Sequence, residues 1–253
     1  MRLIARLDVK NDHVIKGVHL EGLRKVGDPV ELALAYYQAG IHEIVFMDAV
    51  ASLYERNNLF SVISEATRQV FVPIALGGGL RSLDDVSRAL DAGADKVVIN
   101  TGAVRNIRLV TDIANRYGAQ CVVGSIEAQR AGAQGSGASW SVFINNGREP
   151  TDLDAVSWAR QLQEAGCGEI LVTSIDMEGT RRGFDIGLAV AVQAATTRPV
   201  IVSGGYGSPA HFDALFRRVI PSGVAVAGAL HYKTSTVQDL NAAMAAALSG
   251  IGQ

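Results

Sequence analysis

The sequence predicts an α/β fold, a (β/α)8 barrel of eight parallel strands alternating with helices, and three observations carry that expectation. Short β-rich apolar runs recur eight times, segments of helical period lie between them, and several helices end on the same apolar-glycine step. A length of 253 residues is that of one such barrel, so residues 1–253 are expected to form one domain.

The strands are expected at Leu3 to Val9, Ile44 to Met47, Val72 to Leu76, Lys96 to Ile99, Cys121 to Ile126, Glu169 to Thr173, Val200 to Ser203 and Val224 to Ala227. Helices are expected between them, among others at Val30 to Ala39, Leu83 to Ala92, Leu153 to Ala165 and Leu240 to Leu248. Ala39-Gly40, Ala92-Gly93 and Ala165-Gly166 place glycine where a left-handed residue closes a helix. Ser82, ahead of Leu83-Asp84-Asp85, and Ser208, ahead of Pro209, read as N-caps. Ala131 to Pro150 is too long and too rich in Gly, Ser and Asn for an ordinary connection and is expected to form a hairpin or flap over the strand ends. His19 to Pro29 reads as a second long loop of the kind that acts as a mobile lid.

Half a chain apart, Val45-Phe46-Met47-Asp48-Ala49 is echoed by Val172-Thr173-Ser174-Ile175-Asp176, and Leu76-Gly77-Gly78-Gly79 by Val202-Ser203-Gly204-Gly205. Two fused half-barrels would give this spacing. The composition, 48% hydrophobic and 19% charged with a net charge of -2, argues against disorder and against a nucleic-acid surface. Neither Cys121 nor Cys167 belongs to a CxxC pair, no run suffices to span a membrane, and a cytoplasmic protein is expected. The five histidines show no metal-binding spacing, and neither a metal nor another cofactor is expected.

In a barrel of this type, polar residues at the C-terminal strand ends are the catalytic candidates. Asp8 and Glu127 end the first and fifth strands, and two carboxyls there suit general acid and base roles. Alternation puts Arg2, Ile4, Arg6 and Asp8 on one face, so Arg6 points into the lumen with Asp8. A buried Arg needs a partner, and Asp8, Glu127, Asp176 or an anionic part of a substrate are the candidates. Gly77-Gly78-Gly79 and Gly204-Gly205-Tyr206-Gly207 directly follow strands, and Asn100-Thr101 and Gly228-Ala229 end the next ones. Glycine lets backbone N–H groups approach a phosphate, so two such sites point to a ligand with a phosphate at either end. Lys16, Asp48, Thr173, Ser174, Asp176, Glu178 and Ser203 are further polar groups at or beyond strand ends.

These residues resemble a family, the cyclase subunit of imidazole glycerol phosphate synthase, together with its isomerase relative in histidine biosynthesis. The resemblance covers essentially the whole chain. It rests on Leu7-Asp8-Val9-Lys10, Val14-Ile15-Lys16-Gly17, Gly27-Asp28-Pro29, Gly77-Gly78-Gly79, Gly93-Ala94-Asp95-Lys96-Val97, Ile99-Asn100-Thr101, Glu169-Ile170-Leu171 and Thr173-Ser174-Ile175-Asp176. It implies a substrate with two phosphates and a separate glutaminase subunit, a heterodimer partner, whose ammonia enters at the bottom of the barrel. It further implies that Arg2, Glu43, Lys96 and Glu169 form the charged ring at that opening, with Asp95 beside the partner. Four departures accompany it: Glu127 stands where the family has Asp, Arg6 where a small residue is usual, Glu178 where Asp is usual, and Ala229 where a small hydroxyl is usual. The pairing of Arg6 with Glu127 resembles a subgroup associated with surface-polysaccharide biosynthesis, in which such a barrel would deliver ammonia to a separate sugar amidotransferase with little or no cyclase activity.

Overall fold

A computed structural model describes residues 1–51, 59–131 and 138–252. Eight parallel strands close on themselves: β1 (Arg2–Lys10), β4 (Glu43–Asp48), β5 (Ile74–Gly77), β6 (Lys96–Ile99), β7 (Val122–Arg130), β10 (Glu169–Ser174), β11 (Val200–Ser203) and β12 (Gly223–Val226), with β12 pairing β1 and β10 pairing β7. Around them lie the helices α1 (Pro29–Gln38), α2 (Leu59–Ala66), α3 (Leu83–Asp91), α4 (Thr101–Arg105), α5 (Arg108–Tyr117), α6 (Ala155–Glu164), α7 (Ile186–Ala195), α8 (Ala210–Phe216), α9 (Gly228–His231) and α10 (Val237–Ser249). All eight expected strands are present, because each apolar run is buried on both faces, by helices outside and by the lumen inside. Among the described residues no helix is long and apolar enough to cross a membrane.

Alternation along the strands produces two separate cores. Leu3, Leu7, Ile44, Phe46, Ile126 and Val172 face the helices, whereas Ile4, Val45, Met47, Ala75, Val98, Val123, Leu171, Ile201 and Ala225 pack together inside the barrel. The inner cluster separates the polar groups at the lower opening from those of the catalytic face.

The chain repeats in halves. β1 is followed by the antiparallel pair β2 (His13–Val18) and β3 (Glu21–Gly27), and β7 by the antiparallel pair β8 (Trp140–Ile144) and β9 (Glu149–Asp154). The six strands β1 to β6 thus match β7 to β12 one for one. The expected hairpin at 131–150 is present in the described residues; positions 132–137 of it lie outside them. The expected lid at His19 to Pro29 is a correction: most of it is β3, laddered to β2 through Val14–Gly27, Ile15–Lys25 and Lys16–Arg24. Its charges and glycines hid it, since β3 is partnered along one edge only and shows little of the burial that marks the barrel strands.

Helix ends follow the expected chemistry with two exceptions. Gly40, Gly93 and Gly166 have φ of 90°, 107° and 100°, and Ser82 forms a capping box with Asp85. Ser208 makes no side-chain cap for α8, whose N-cap position is Pro209; the Ser208 N–H is donated to His211 Nδ1 instead. The last helix starts three residues before the expected Leu240, at a capping box between Thr236 and Asp239.

Candidate active site

The catalytic face is organised by Arg6. The strand places its side chain in the lumen with 1% exposure. Its Nε donates to Asp8 Oδ1 at 2.9 Å, one terminal nitrogen donates to Thr173 Oγ1 at 2.9 Å, and the other stands 3.9 Å from Glu127 Oε1. The sequence expectation therefore holds for Asp8 and Glu127 and fails for Asp176. That carboxylate turns away to accept the backbone N–H of Arg130 at 2.8 Å.

The two acids are driven in opposite directions. Burial pushes the Asp8 carboxyl up, but the Arg6 and Lys16 charges outweigh it and hold Asp8 below the ordinary aspartate value. Burial also pushes Glu127 up; there Arg6 stands farther off, Asp8 adds repulsion, and the net shift is upward. Glu127 accepts hydrogen bonds from Asn100 Nδ2 at 3.0 Å and from the backbone of Gly147. One carboxyl is thus kept ionised and the other is kept nearer its protonated form, which is the arrangement acid and base partners require.

Lys16, carried on β2, lies between Asp8, 3.9 Å away, and Glu178, with which it is in direct contact. Burial lowers its ammonium to about 8 despite the attraction of Asp8. Its aliphatic end comes to Gly228, where an added Cβ would meet Lys16 Cε at 3.8 Å.

Two glycine cradles flank this centre. Gly78 and Gly79 have φ of 96° and 71°, and Gly204 and Gly205 have φ of 97° and 103°. The close packing is equivalent in the two halves: a Cβ on Gly78 would lie 2.4 Å from the Asp48 carbonyl, and one on Gly204 2.9 Å from the Ser174 carbonyl. Asp48 therefore corresponds in space to Ser174. The short helices α4 and α9 also start alike, from Asn100 at φ −115°, ψ −86° and Ala227 at φ −124°, ψ −73°. The first cradle borders a cavity of about 50 Å3 with Asp48, Arg81, Asn100, Thr101, Arg105 and Glu127 on its walls. The second opens into one of about 590 Å3, whose walls include Lys16, Arg24, Arg181, Gly204, Gly205 and Gly228. Thr173 and Asp176 line neither cavity; Thr173 serves Arg6.

At the lower opening, Arg2 contacts both Glu43 and Glu169, and Lys96 Nζ reaches Glu43 at 2.9 Å and Glu169 at 3.2 Å. The four residues form a closed ring of alternating charge. Asp95 is exposed beside it and accepts the backbone N–H of Ile74 at 2.8 Å.

Sequence reading missed His231. Its Nε2 lies 3.0 Å from the Arg6 carbonyl and its Nδ1 2.8 Å from the Tyr36 hydroxyl. A carbonyl can only accept, so Nε2 carries the proton and Nδ1 accepts from Tyr36. Burial lowers His231 to about 4, helped by the Lys16 charge and opposed by Asp8. The ladder between β1 and β12 ends at Ala5 and Val226, and the imidazole satisfies the next carbonyl of β1.

Comparison with known proteins agrees with this geometry. The family described as histidine biosynthesis protein matches residues 2–236. Imidazole glycerol phosphate synthase subunit HisF of Legionella pneumophila is 54% identical over 213 residues, covering 84% of this chain and 99% of the relative. The protein of the same name from Myxococcus xanthus strain DK1622 is 51% identical over 241 residues, covering 95% and 93%. The chain belongs to the histidine biosynthesis family and, within it, groups with the HisF subunits of imidazole glycerol phosphate synthase.

Proposed function

We propose that this barrel is the cyclase subunit of an imidazole glycerol phosphate synthase. It takes ammonia from a glutaminase subunit and acts on a bis-phosphate ribulosyl aminoimidazole, giving imidazole glycerol phosphate and an aminoimidazole carboxamide ribotide. The observation that carries this reading is the pair of carboxyls, Asp8 held low and Glu127 held high, standing between two matched phosphate cradles.

The residues divide the work. Backbone N–H groups at Gly78–Gly79 with Asn100–Thr101, and at Gly204–Gly205 with Gly228, grip the two phosphates and stretch the substrate across the carboxyls. Ammonia attacks the ribulosyl chain there, with Asp8 as the base that removes a proton from the added nitrogen and Glu127 as the acid that protonates departing oxygen. Fragmentation and ring closure follow. Positioned proton transfer of this kind contributes roughly 10²–10⁴ in rate. Arg6, with Lys16, keeps Asp8 ionised, while burial and the Asp8 charge raise Glu127 against the pull of Arg6. The ring of Arg2, Glu43, Lys96 and Glu169 is the ammonia entrance, and the surface around it, Asp95 included, receives the glutaminase.

The test supplies ammonium and the ribulosyl aminoimidazole substrate to the isolated barrel and looks for both products. Turnover that disappears in Asp8→Asn is the expected result. Absence of product at any ammonium concentration would overturn it and leave delivery of ammonia to a separate sugar amidotransferase as the activity to examine.

A further inference from the structure

The turn from β8 to β9 places three consecutive residues, Asn145, Asn146 and Gly147, at φ of 55°, 60° and 72°. Left-handed backbone is uncommon for residues with a side chain, though Asn tolerates it better than most. The turn is held in that shape from three directions. The Asn145 backbone N–H donates to Thr101 Oγ1 at 3.0 Å, the Gly147 backbone is hydrogen-bonded to Glu127, and a Cβ on Gly147 would stand only 2.6 Å from Leu20 Cδ1 at the tip of the first hairpin. It is thereby clamped to the first cradle, to one of the two acids and to the opposite half of the barrel.

Asn146, at the centre of this turn, is half-buried and lines two cavities. One holds Asp48, Gly78, Asn100 and Glu127, and the other holds Asp8 and Lys16. Among the described residues no other lines both. Its neighbours Asn145 and Gly147 make the turn's hydrogen bonds, while among the described residues the Asn146 side-chain amide has no hydrogen-bond partner. A polar side chain on a residue held in a restricted backbone conformation, bordering both cavities and unpaired among the described residues, is arranged to pair with something that enters.

We propose that Asn146 is a substrate-binding residue, whose amide pairs with the oxygen-bearing chain that links the two phosphates as it passes between Asp8 and Glu127. The proposal rests on the cyclase reading for the identity of that chain. An amide presents two N–H donors and one carbonyl acceptor, so it can meet a hydroxyl and a carbonyl of the ribulosyl segment together. Inorganic phosphate in either cradle has no such segment and should not depend on it.

The test is Asn146→Gly, because glycine adopts φ near 60° without strain and removes only the amide. Its melting temperature should equal or exceed that of the parent protein, and inorganic phosphate should bind unchanged. Ammonium-dependent kcat/KM and calorimetric affinity for the ribulosyl aminoimidazole should each fall by about tenfold or more, the size of one lost polar contact to a ligand. Values within twofold of the parent in a parent that turns over would overturn the role of Asn146 and leave the cyclase reading standing. A parent that binds the substrate without turning it over would sink the cyclase reading, and the affinity comparison alone would then decide the role of Asn146. A parent that neither binds nor turns over would overturn both.

Discussion

Arg6 and His231 set the charge pattern on which the site depends. Arg6 donates through Nε to Asp8, and its terminal nitrogen without a hydrogen bond is the one that stands 3.9 Å from Glu127, so one guanidinium faces two buried carboxyls. Removing one partner from a buried ionic group leaves the others uncompensated, so Arg6→Ala should lower unfolding stability by about 3–5 kcal/mol in urea titrations. It should also raise the pH at which Asp8 becomes ionised, seen as an alkaline displacement of the acidic limb of the rate profile. His231 gives a separate signature. In the unfolded chain its proton binds at 6.5 and in the folded protein only at about 4. Between those values the unfolded state holds more protons, so this residue's share of stability is complete above pH 6.5 and declines as pH falls toward 4, by about 3 kcal/mol. His231→Gln should remove that slope from the variant's own stability curve, so the difference between parent and variant should carry it across pH 4–6.5. A difference that stays flat across pH 4–6.5 would show that the imidazole is not buried in its neutral form.

At the level of elements, the cradles depend on backbone that a side chain cannot share. Gly205 has φ of 103°, and a Cβ there would come within 1.9 Å of the Gly183 carbonyl. Gly205→Ala should therefore cost about 1–3 kcal/mol from backbone strain alone. If the cradle holds a phosphate, KM for the bis-phosphate substrate should also rise. Inorganic phosphate binding by calorimetry separates the two effects, since a variant that is destabilised but binds phosphate normally would remove the second cradle from the site. The hairpins β2–β3 and β8–β9 belong to the same scale. They occupy equivalent places in the two halves, and each delivers groups to the catalytic face: Lys16 from the first, and the Asn145–Gly147 turn from the second.

For the whole molecule, the inner apolar cluster separates the charged ring at the lower opening from the polar groups at the C-terminal strand ends. Arg2 bridges the two carboxylates of this ring, of which Glu43 is 1% exposed and Glu169 7%. Arg2→Met should leave Lys96 as the remaining cation of the ring, with the Ser222 hydroxyl still donating to Glu169. Under the proposed partnership, glutamine-dependent turnover with the glutaminase should then fall several-fold while ammonium-dependent turnover of the isolated barrel stays near its original value. Equal losses by both routes would place the defect in folding or chemistry instead of the entrance.

The eight barrel strands, the half-barrel echo, the lumen-facing Arg6 and the glycines of both cradles could be read from the chain, because each depends on local periodicity or on a residue type with a distinctive backbone. The strand β3 could not, since Glu21, Arg24, Lys25 and two glycines carry no alternation and only the ladder to β2 orders them. Nor could the role of His231, whose partners Tyr36 and Arg6 lie 195 and 225 residues away. The contact of Asp176, expected at the site from its place after β10, with the backbone N–H of Arg130 was likewise not legible in the sequence. Sequence determined which side chains face the lumen, because alternation is a property of each strand by itself. Tertiary structure alone decided which of them meet, because closure of the barrel brings Asp8, Glu127, Thr173 and Lys16 around one guanidinium, and the distances among those charges set which acid is ionised.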